Sequence, residues 1–108
     1  MVTRKFPRYS TSMPGILVQR DRVRHKASLC DVSLKGCRVE SPIKPYTGMQ
    51  LEVTLQLPGN ITPITISNAT VRWTGSHGIG IEFLQISADQ LERLSGLIAE
   101  LSPRQGFK

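Results

Sequence analysis

The sequence predicts an all-β domain with a C-terminal helix, built as a small six-stranded antiparallel β-barrel closed by one α-helix. Three observations support this prediction. The chain has 108 residues, a length that suits one domain with one hydrophobic core. Its apolar residues recur in short runs of β type, and turn-forming residues separate these runs. One segment near the C-terminus instead repeats its apolar residues with a helical period.

The first half of the chain contains three predicted strands and two turns. The strands are Ile16–Val23, Lys26–Val32 and Cys37–Glu40, with a hairpin tip at Arg24 and His25. Residues 31–36, Asp-Val-Ser-Leu-Lys-Gly, interrupt the apolar pattern. Asp and Ser side chains bond to nearby backbone groups, and Gly adopts positive φ without strain, so this stretch is typical of a turn.

The second half contains the other three strands. Residues 41–48 include two prolines, which remove backbone donors and exclude a central strand. Apolar residues then alternate with polar ones through Met49–Leu57, and the last two strands are Ile64–Trp73 and Gly78–Leu84. Val71 and Trp73 lie two residues apart, which predicts that they share a face and that the indole packs in the core or at the lip of the barrel.

One helix ends the predicted domain, over about residues 87–101. Residues 87–90, Ser-Ala-Asp-Gln, match a capping box in which Ser87 is the N-cap and the Gln90 side chain reaches back. The helical period then comes from a stripe of apolar residues: Leu91, Leu94, Ile98 and Leu101. We expect this stripe to cover an open end or face of the sheet, because small sheets need such cover.

The composition narrows the classes of function. Fourteen Lys and Arg against eight Asp and Glu give a net charge of +6, which favours an anionic partner. The two cysteines and two histidines do not have the spacing of zinc ligands, so no metal site is predicted. No arrangement of nucleophile and base or of paired carboxylates indicates an enzyme. Neither a membrane-spanning apolar run nor a secretion signal is visible, which predicts a cytoplasmic protein.

The chain begins with a basic segment, Arg-Lys-Phe-Pro-Arg, at residues 4–8. This region is polar and lacks apolar periodicity, so we expect residues 1–12 to form a flexible arm that becomes ordered on binding. Residues 13–108 would then form the barrel with its helix. Arg4 and Arg8 form an RxxxR motif, and 23 residues after Arg8 the residues Asp31, Ser33 and Gly36 form a DxSxxG motif.

The order and spacing of these motifs closely resemble the PilZ domain family, bacterial receptors for the second messenger cyclic di-GMP. Val-Arg-Trp at residues 71–73 and Gly-Ile-Gly-Ile-Glu-Phe at residues 78–83 also fit, so the resemblance covers nearly the whole chain. It implies that Arg4 and Arg8 contact phosphate and guanine and that Asp31 and Ser33 bond to a guanine edge and nearby polar atoms. Gly36 would let the backbone approach the ligand. The resemblance implies a downstream protein partner and no further cofactor.

The chemistry of the ligand suits these residue types. Guanine presents two acceptors, O6 and N7, that match the paired donors of a guanidinium group. Its N1–H and N2 amine suit a carboxylate such as that of Asp31, and arginine binds phosphate with two parallel hydrogen bonds. An arginine plane also stacks on a base.

Other interpretations stay open at this point. Arg4 and Arg8 are also compatible with a solvated terminus, and Asp31 and Ser33 with a turn that binds nothing. The chain could be a PilZ-like interaction module without a nucleotide. It could also be a small basic barrel that binds single-stranded nucleic acid, although its six aromatic residues form no alternating row on a strand.

Overall fold

The computed structural model describes residues 7–59 and 61–101 and shows a closed barrel followed by one helix. Around the barrel the strands follow the order β1-β2-β3-β6-β5-β4, all neighbours are antiparallel, and β1 pairs with both β2 and β4. The predicted fold class is confirmed. The elements are β1 (Tyr9–Gln19), β2 (Arg24–Val32), β3 (Gly36–Glu40), β4 (Gln50–Leu55), β5 (Ile64–Gly75), β6 (Gly78–Gln85) and α1 (Ala88–Leu101).

Strand alternation fills the barrel with aliphatic side chains. In β4 the predicted alternation is confirmed, since Leu51, Val53 and Leu55 are buried and the residues between them are partly exposed. The same period of two sends every second residue of each strand to the outer surface, where the candidate site lies. The largest fully buried side chains include Leu17, Leu29, Val39, Val53, Ile66, Val71, Ile81 and Leu94.

The first strand begins at Tyr9, so the prediction that it begins at Ile16 is wrong. Residues 9–12, which were predicted to belong to the arm, therefore lie in β1. Tyr9 lies opposite Val32 and Ser10 lies opposite Asp31. Backbone pairing does not require apolar side chains, and an irregularity between Ser10 and Met13 interrupts the alternation that a sequence pattern would show.

The tip of the first hairpin lies before Arg24, so its predicted position at Arg24 and His25 is also wrong. The strand ends at Gln19, whose backbone N–H bonds to the Val23 carbonyl at 3.0 Å. An Asp21 carboxylate oxygen accepts a hydrogen bond from the Val23 N–H at 3.1 Å, and Arg22 has a positive φ of 70°. An aspartate that bonds to the backbone two residues ahead is a common way to build a turn.

The helix covers one side of the barrel, against β5 and β1. Its stripe packs as predicted at Leu94, which is fully buried, but Leu91 stays 39% exposed. Ser87 caps the helix by accepting a hydrogen bond from the Gln90 N–H at 3.3 Å. The Gln90 side chain does not complete the capping box, because its oxygen accepts a hydrogen bond from the Thr65 N–H at 2.8 Å instead. This contact ties the first turn of α1 to β5.

Within residues 7–59 and 61–101, no helix is long and apolar enough to cross a bilayer. The same residues contain no group of three or more His, Cys, Asp or Glu side chains that could hold a metal ion.

Candidate ligand-binding site

The DxSxxG motif forms the tight connection between β2 and β3. The Ser33 hydroxyl accepts hydrogen bonds from the N–H groups of Lys35 and Gly36, at 3.1 and 3.2 Å, and donates one to the Gly36 carbonyl at 3.3 Å. The Ser33 N–H also bonds to that carbonyl, at 2.8 Å. Ser33 is only 3% exposed. Its side chain therefore holds the shape of the turn through three backbone atoms.

Gly36 allows two strands to approach closely. A Cβ atom on Gly36 would lie 2.3 Å from the carbonyl oxygen of Ile81 in β6, a separation that backbone atoms cannot tolerate. The resemblance to the PilZ family implied that Gly36 lets a ligand approach the backbone. In the structure it is the backbone of β6 that leaves no room for a side chain at Gly36. The glycine therefore allows the turn to pack against β6 within the barrel wall.

Asp31 lies at the end of β2 and faces outward, where two arginines contact it. One carboxylate oxygen is 3.1 Å from Nη1 of Arg8, and the other is 3.0 Å from Nε of Arg38. The Asp31 side chain is 17% exposed and the Arg8 side chain 25%. The structure therefore brings the second arginine of RxxxR into direct contact with the aspartate of DxSxxG, while Arg4 lies outside the described residues.

Arg38 is a candidate site residue that the sequence analysis missed. It lies in β3 opposite Asp31, and its Nη1 donates a hydrogen bond to the His77 carbonyl at 2.8 Å. The hydrogen bond to Asp31 raises the pKa of Arg38 above its ordinary value. A signal for Arg38 was present, because alternation in a strand with Cys37 and Val39 inside requires the residue between them to point outward.

The register places Arg38 opposite Asp31 only because β2 contains a bulge. Leu29 pairs with Val39, and Asp31 then pairs with Arg38, so Cys30 is the extra residue. Regular pairing from Leu29 and Val39 would have placed Asp31 opposite Cys37, whose side chain is fully buried. That burial raises the pKa of the Cys37 thiol to about 12, so the thiol stays neutral behind the site.

An indole extends this row of outward residues. Gly80 in β6 lies opposite Arg38, and Trp73 in β5 lies opposite Gly80. A Cβ atom on Gly80 would lie 2.1 Å from the indole Nε1, so the ring covers the glycine. Trp73 is 40% exposed. A bulge between Val71 and Trp73 places the buried Val71 and the exposed Trp73 on opposite faces of the sheet. The prediction that the two share a face is therefore wrong.

We call Arg8, Asp31, Arg38, Gly80 and Trp73 the Asp31 site. It combines two guanidinium groups, one carboxylate between them and one exposed aromatic ring. Each guanidinium has five N–H donors, of which Asp31 receives only one from each. Guanidinium groups of this kind bind phosphate or the acceptor edge of a base, a carboxylate binds the donor edge, and an indole offers a stacking surface. The site therefore suits an anion that carries a planar base.

Comparisons with known proteins agree with the fold of this chain. The profile of the PilZ domain family matches residues 3–100. Among solved structures, the PilZ domain of YcgR from Escherichia coli, with c-di-GMP, is 16% identical, with a TM-score of 0.70 over 93% of this chain and 92% of that chain. The PilZ domain of CeSA from a cellulose-synthesizing bacterium is 16% identical, with a TM-score of 0.69 over 88% and 97%.

A third similar structure belongs to a longer protein. The inhibitor of motility MotI/DgrA from Bacillus subtilis is 20% identical, with a TM-score of 0.68 over 93% of this chain. This chain covers 52% of that one. No curated protein sequence matches the chain.

Proposed function

Because the chain belongs to the PilZ domain family, we propose that it is a receptor for cyclic di-GMP that binds this messenger at the Asp31 site. Of the predicted site residues, Arg4, Arg8 and Asp31 are the proposed ligand contacts, with Arg38 and Trp73 added, while Ser33 and Gly36 support these contacts by shaping the turn. The protein would act by binding rather than by catalysis, in the cytoplasm, and would signal to a protein partner.

One observation carries this proposal: Arg8 and Asp31 are 23 residues apart in the chain and 3.1 Å apart in space. Each motif alone is short enough to occur by chance, but Arg8 of one and Asp31 of the other meet on one surface. Their side chains supply the donors and the acceptor that a guanine nucleotide needs. Arg38 and Trp73 lie on the same row of paired residues and extend this surface toward β5.

Binding would exchange partners at the Asp31 carboxylate. Without a ligand, Arg8 and Arg38 occupy one oxygen each. The N1–H and N2 amine of a guanine compete for the same oxygens, and the released guanidinium groups gain phosphate oxygens in return. Ser33 and Gly36 contribute through the turn whose shape they maintain. We expect Arg4 to add a further guanidinium from the N-terminal segment.

A second candidate function is an interaction module that binds no nucleotide. The observation that favours it is the pairing of both Asp31 oxygens with arginines of the same chain. Each oxygen of this carboxylate already accepts a hydrogen bond, so the carboxylate does not require a ligand as a partner. In this alternative the arginine contacts hold residues before β1 against the barrel and serve only the structure.

Titration with two cyclic dinucleotides separates these candidates. Cyclic di-AMP has the same two phosphates, but adenine puts an N6 amine where guanine has O6 and lacks the N1–H and N2 donors. Unmatched buried polar groups cost about 1–3 kcal/mol each. We therefore expect cyclic di-GMP to bind at least ~10²-fold more tightly, and this ratio to persist at high salt while both affinities fall. Equal affinities that vanish together with salt would contradict the receptor proposal.

A further inference from the structure

A second group of cations lies at the opposite end of the first hairpin from the Asp31 site. We call residues 20–26 and residues 46–50 the hairpin end. Arg24 begins β2 and Asp31 lies near its other end. Asp31 follows Arg24 by seven positions, which corresponds to about 23 Å at the usual rise of a strand. A molecule held at one end would therefore not touch the other.

The hairpin end contains more positive charge than its own carboxylates neutralise. Arg20 donates a hydrogen bond to the neutral side chain of Gln50 at 2.9 Å. Arg22 forms a long ion pair with Glu52 at 3.8 Å, and its side chain is 72% exposed. Arg24 and Lys26 are exposed, and neither has an ion-pair partner among the described residues.

Two open grooves flank the Arg20–Gln50 contact. One has a volume of about 380 Å³ and is lined by polar side chains that include Asn68 and Gln85. The other has a volume of about 480 Å³ and lies beside Tyr46. The Tyr46 side chain is 69% exposed, and Val23 at the tip is 44% exposed. Arginine and tyrosine beside a groove are typical of protein interfaces.

We propose that the hairpin end binds an acidic segment of a partner protein, with carboxylates against the arginines and an apolar side chain beside Tyr46. Two features favour a protein over a nucleic acid. Asp21 lies within the surface and Glu52 borders it as the partner of Arg22, and both carboxylates would repel an unbroken line of phosphates. Tyr46 is also the one aromatic residue among those that form this end, whereas binders of single strands stack bases on several rings.

This inference rests on the proposed function only in requiring a partner, since the surface shares no residue with the Asp31 site. It assigns separate surfaces to the messenger and to the protein that responds. Opposite ends of the paired strands β1 and β2 would then carry the two interactions.

A nitrogen-15 NMR titration tests the proposal. The probe is a synthetic 12-residue peptide of alternating glutamate and serine with one central leucine. We expect its addition to shift amide signals of residues 20–26 and 46–50, and a peptide with glutamine in place of glutamate to shift none. Arg24→Glu should weaken binding at least ~10-fold, because reversing one charge beside two carboxylates doubles the loss from removing it. Lys26→Glu is a second variant in case Arg24→Glu does not fold.

The matched control is Lys35→Glu, which reverses one exposed charge in the connection between β2 and β3, at the other end of β2 from this surface, and should change the peptide affinity by less than about 2-fold. Equal weakening by Lys35→Glu would show attraction by net charge alone and overturn the proposal. A 12-nucleotide uridine RNA that binds residues 20–26 more tightly than the peptide would overturn it in favour of a nucleic acid.

Each titration is run with and without cyclic di-GMP, whose own affinity is measured separately. Failure of the messenger to bind would contradict the proposed function and leave the peptide shifts in place. Loss of the peptide shifts with normal messenger binding would contradict only the inference about the hairpin end.

Discussion

The two ends of the first hairpin carry arginines in opposite electrostatic settings. At the Asp31 site, Arg8 and Arg38 come from different parts of the chain and share one carboxylate at 3.1 and 3.0 Å. At the hairpin end, Arg20 and Arg24 are close in sequence. Arg20 bonds to the neutral amide of Gln50, and Arg24 has no carboxylate partner within residues 7–59 and 61–101. The arginines of the Asp31 site are held in place by a carboxylate before a ligand binds. The arginines of the hairpin end would be neutralised by the proposed partner.

The aromatic residues differ between the ends in the same way. Trp73 lies on the bare backbone of Gly80 and is held by the pairing of β5 with β6. Tyr46 lies in the connection between β3 and β4 and is 69% exposed. A ring held on a strand presents a fixed face, which suits a rigid base, while an exposed ring in a connection adapts to a flexible segment.

The largest expected loss of cyclic di-GMP affinity follows from substitution of Asp31, the carboxylate that distinguishes the Asp31 site from the hairpin end. Asp31→Ala should weaken cyclic di-GMP binding at least ~10²-fold, because the N1–H and N2 amine of the guanine lose their charged acceptor. Asp31→Asn keeps one carbonyl acceptor and should weaken binding clearly less. Isothermal titration calorimetry measures both. If the two variants bind equally weakly and are destabilised together, Asp31 supports the turn and not the ligand.

An intermediate effect is expected for the arginine that precedes β1. Arg8→Ala should cost about 1.5–3 kcal/mol of cyclic di-GMP binding through the loss of charge-assisted hydrogen bonds. This corresponds to roughly ten- to a hundred-fold in affinity. The Tm of the ligand-free protein should change little, because a partly exposed ion pair contributes about 0–1 kcal/mol.

Arg24→Ala is the matched control for this measurement, since it removes one arginine from the hairpin end. It should leave the affinity for cyclic di-GMP within about 2-fold, as expected for a charge beyond the screening length. An Arg8→Ala variant with the affinity of the unmodified protein would remove the N-terminal segment from the site. If both variants lost the same affinity for cyclic di-GMP, net charge alone would explain binding and the two ends would not differ.

The smallest expected effect concerns the indole. Gly80→Ala places a methyl group where the ring lies, with its carbon 2.1 Å from Nε1. Because the obstacle is a side chain that can rotate, we expect the indole to move into solvent at a cost of about 1 kcal/mol in stability. The tryptophan fluorescence maximum should shift to longer wavelength, and cyclic di-GMP binding should weaken a few-fold through lost stacking.

Gly75→Ala provides the control on the same hairpin, because apart from its two chain neighbours no described residue has an atom within 4 Å of the added Cβ. It should leave the fluorescence and the affinity unchanged. A fluorescence shift in Gly80→Ala without any change in affinity would show that Trp73 covers the barrel and takes no part in binding.

Local pattern was sufficient for much of the architecture. The period-two alternation in residues 50–55 and the helical stripe ending at Leu101 predict the element types, because each depends on neighbours within a few residues. Strand ends were less predictable. Tyr9 and Ser10 pair with β2 through their backbone, which leaves no apolar signal, and the Asp21 turn places the hairpin tip before Arg24 and His25.

The sequence by itself determined the barrel class and the residue types of the two motifs, since composition, alternation and spacing are properties of the chain alone. Only the tertiary structure decided that Arg38 pairs with Asp31 and that Trp73 covers Gly80. Both depend on bulges, at Cys30 and between Val71 and Trp73. One extra residue in a strand reverses the faces that follow it, and sequence alternation does not indicate where a closed barrel places that residue.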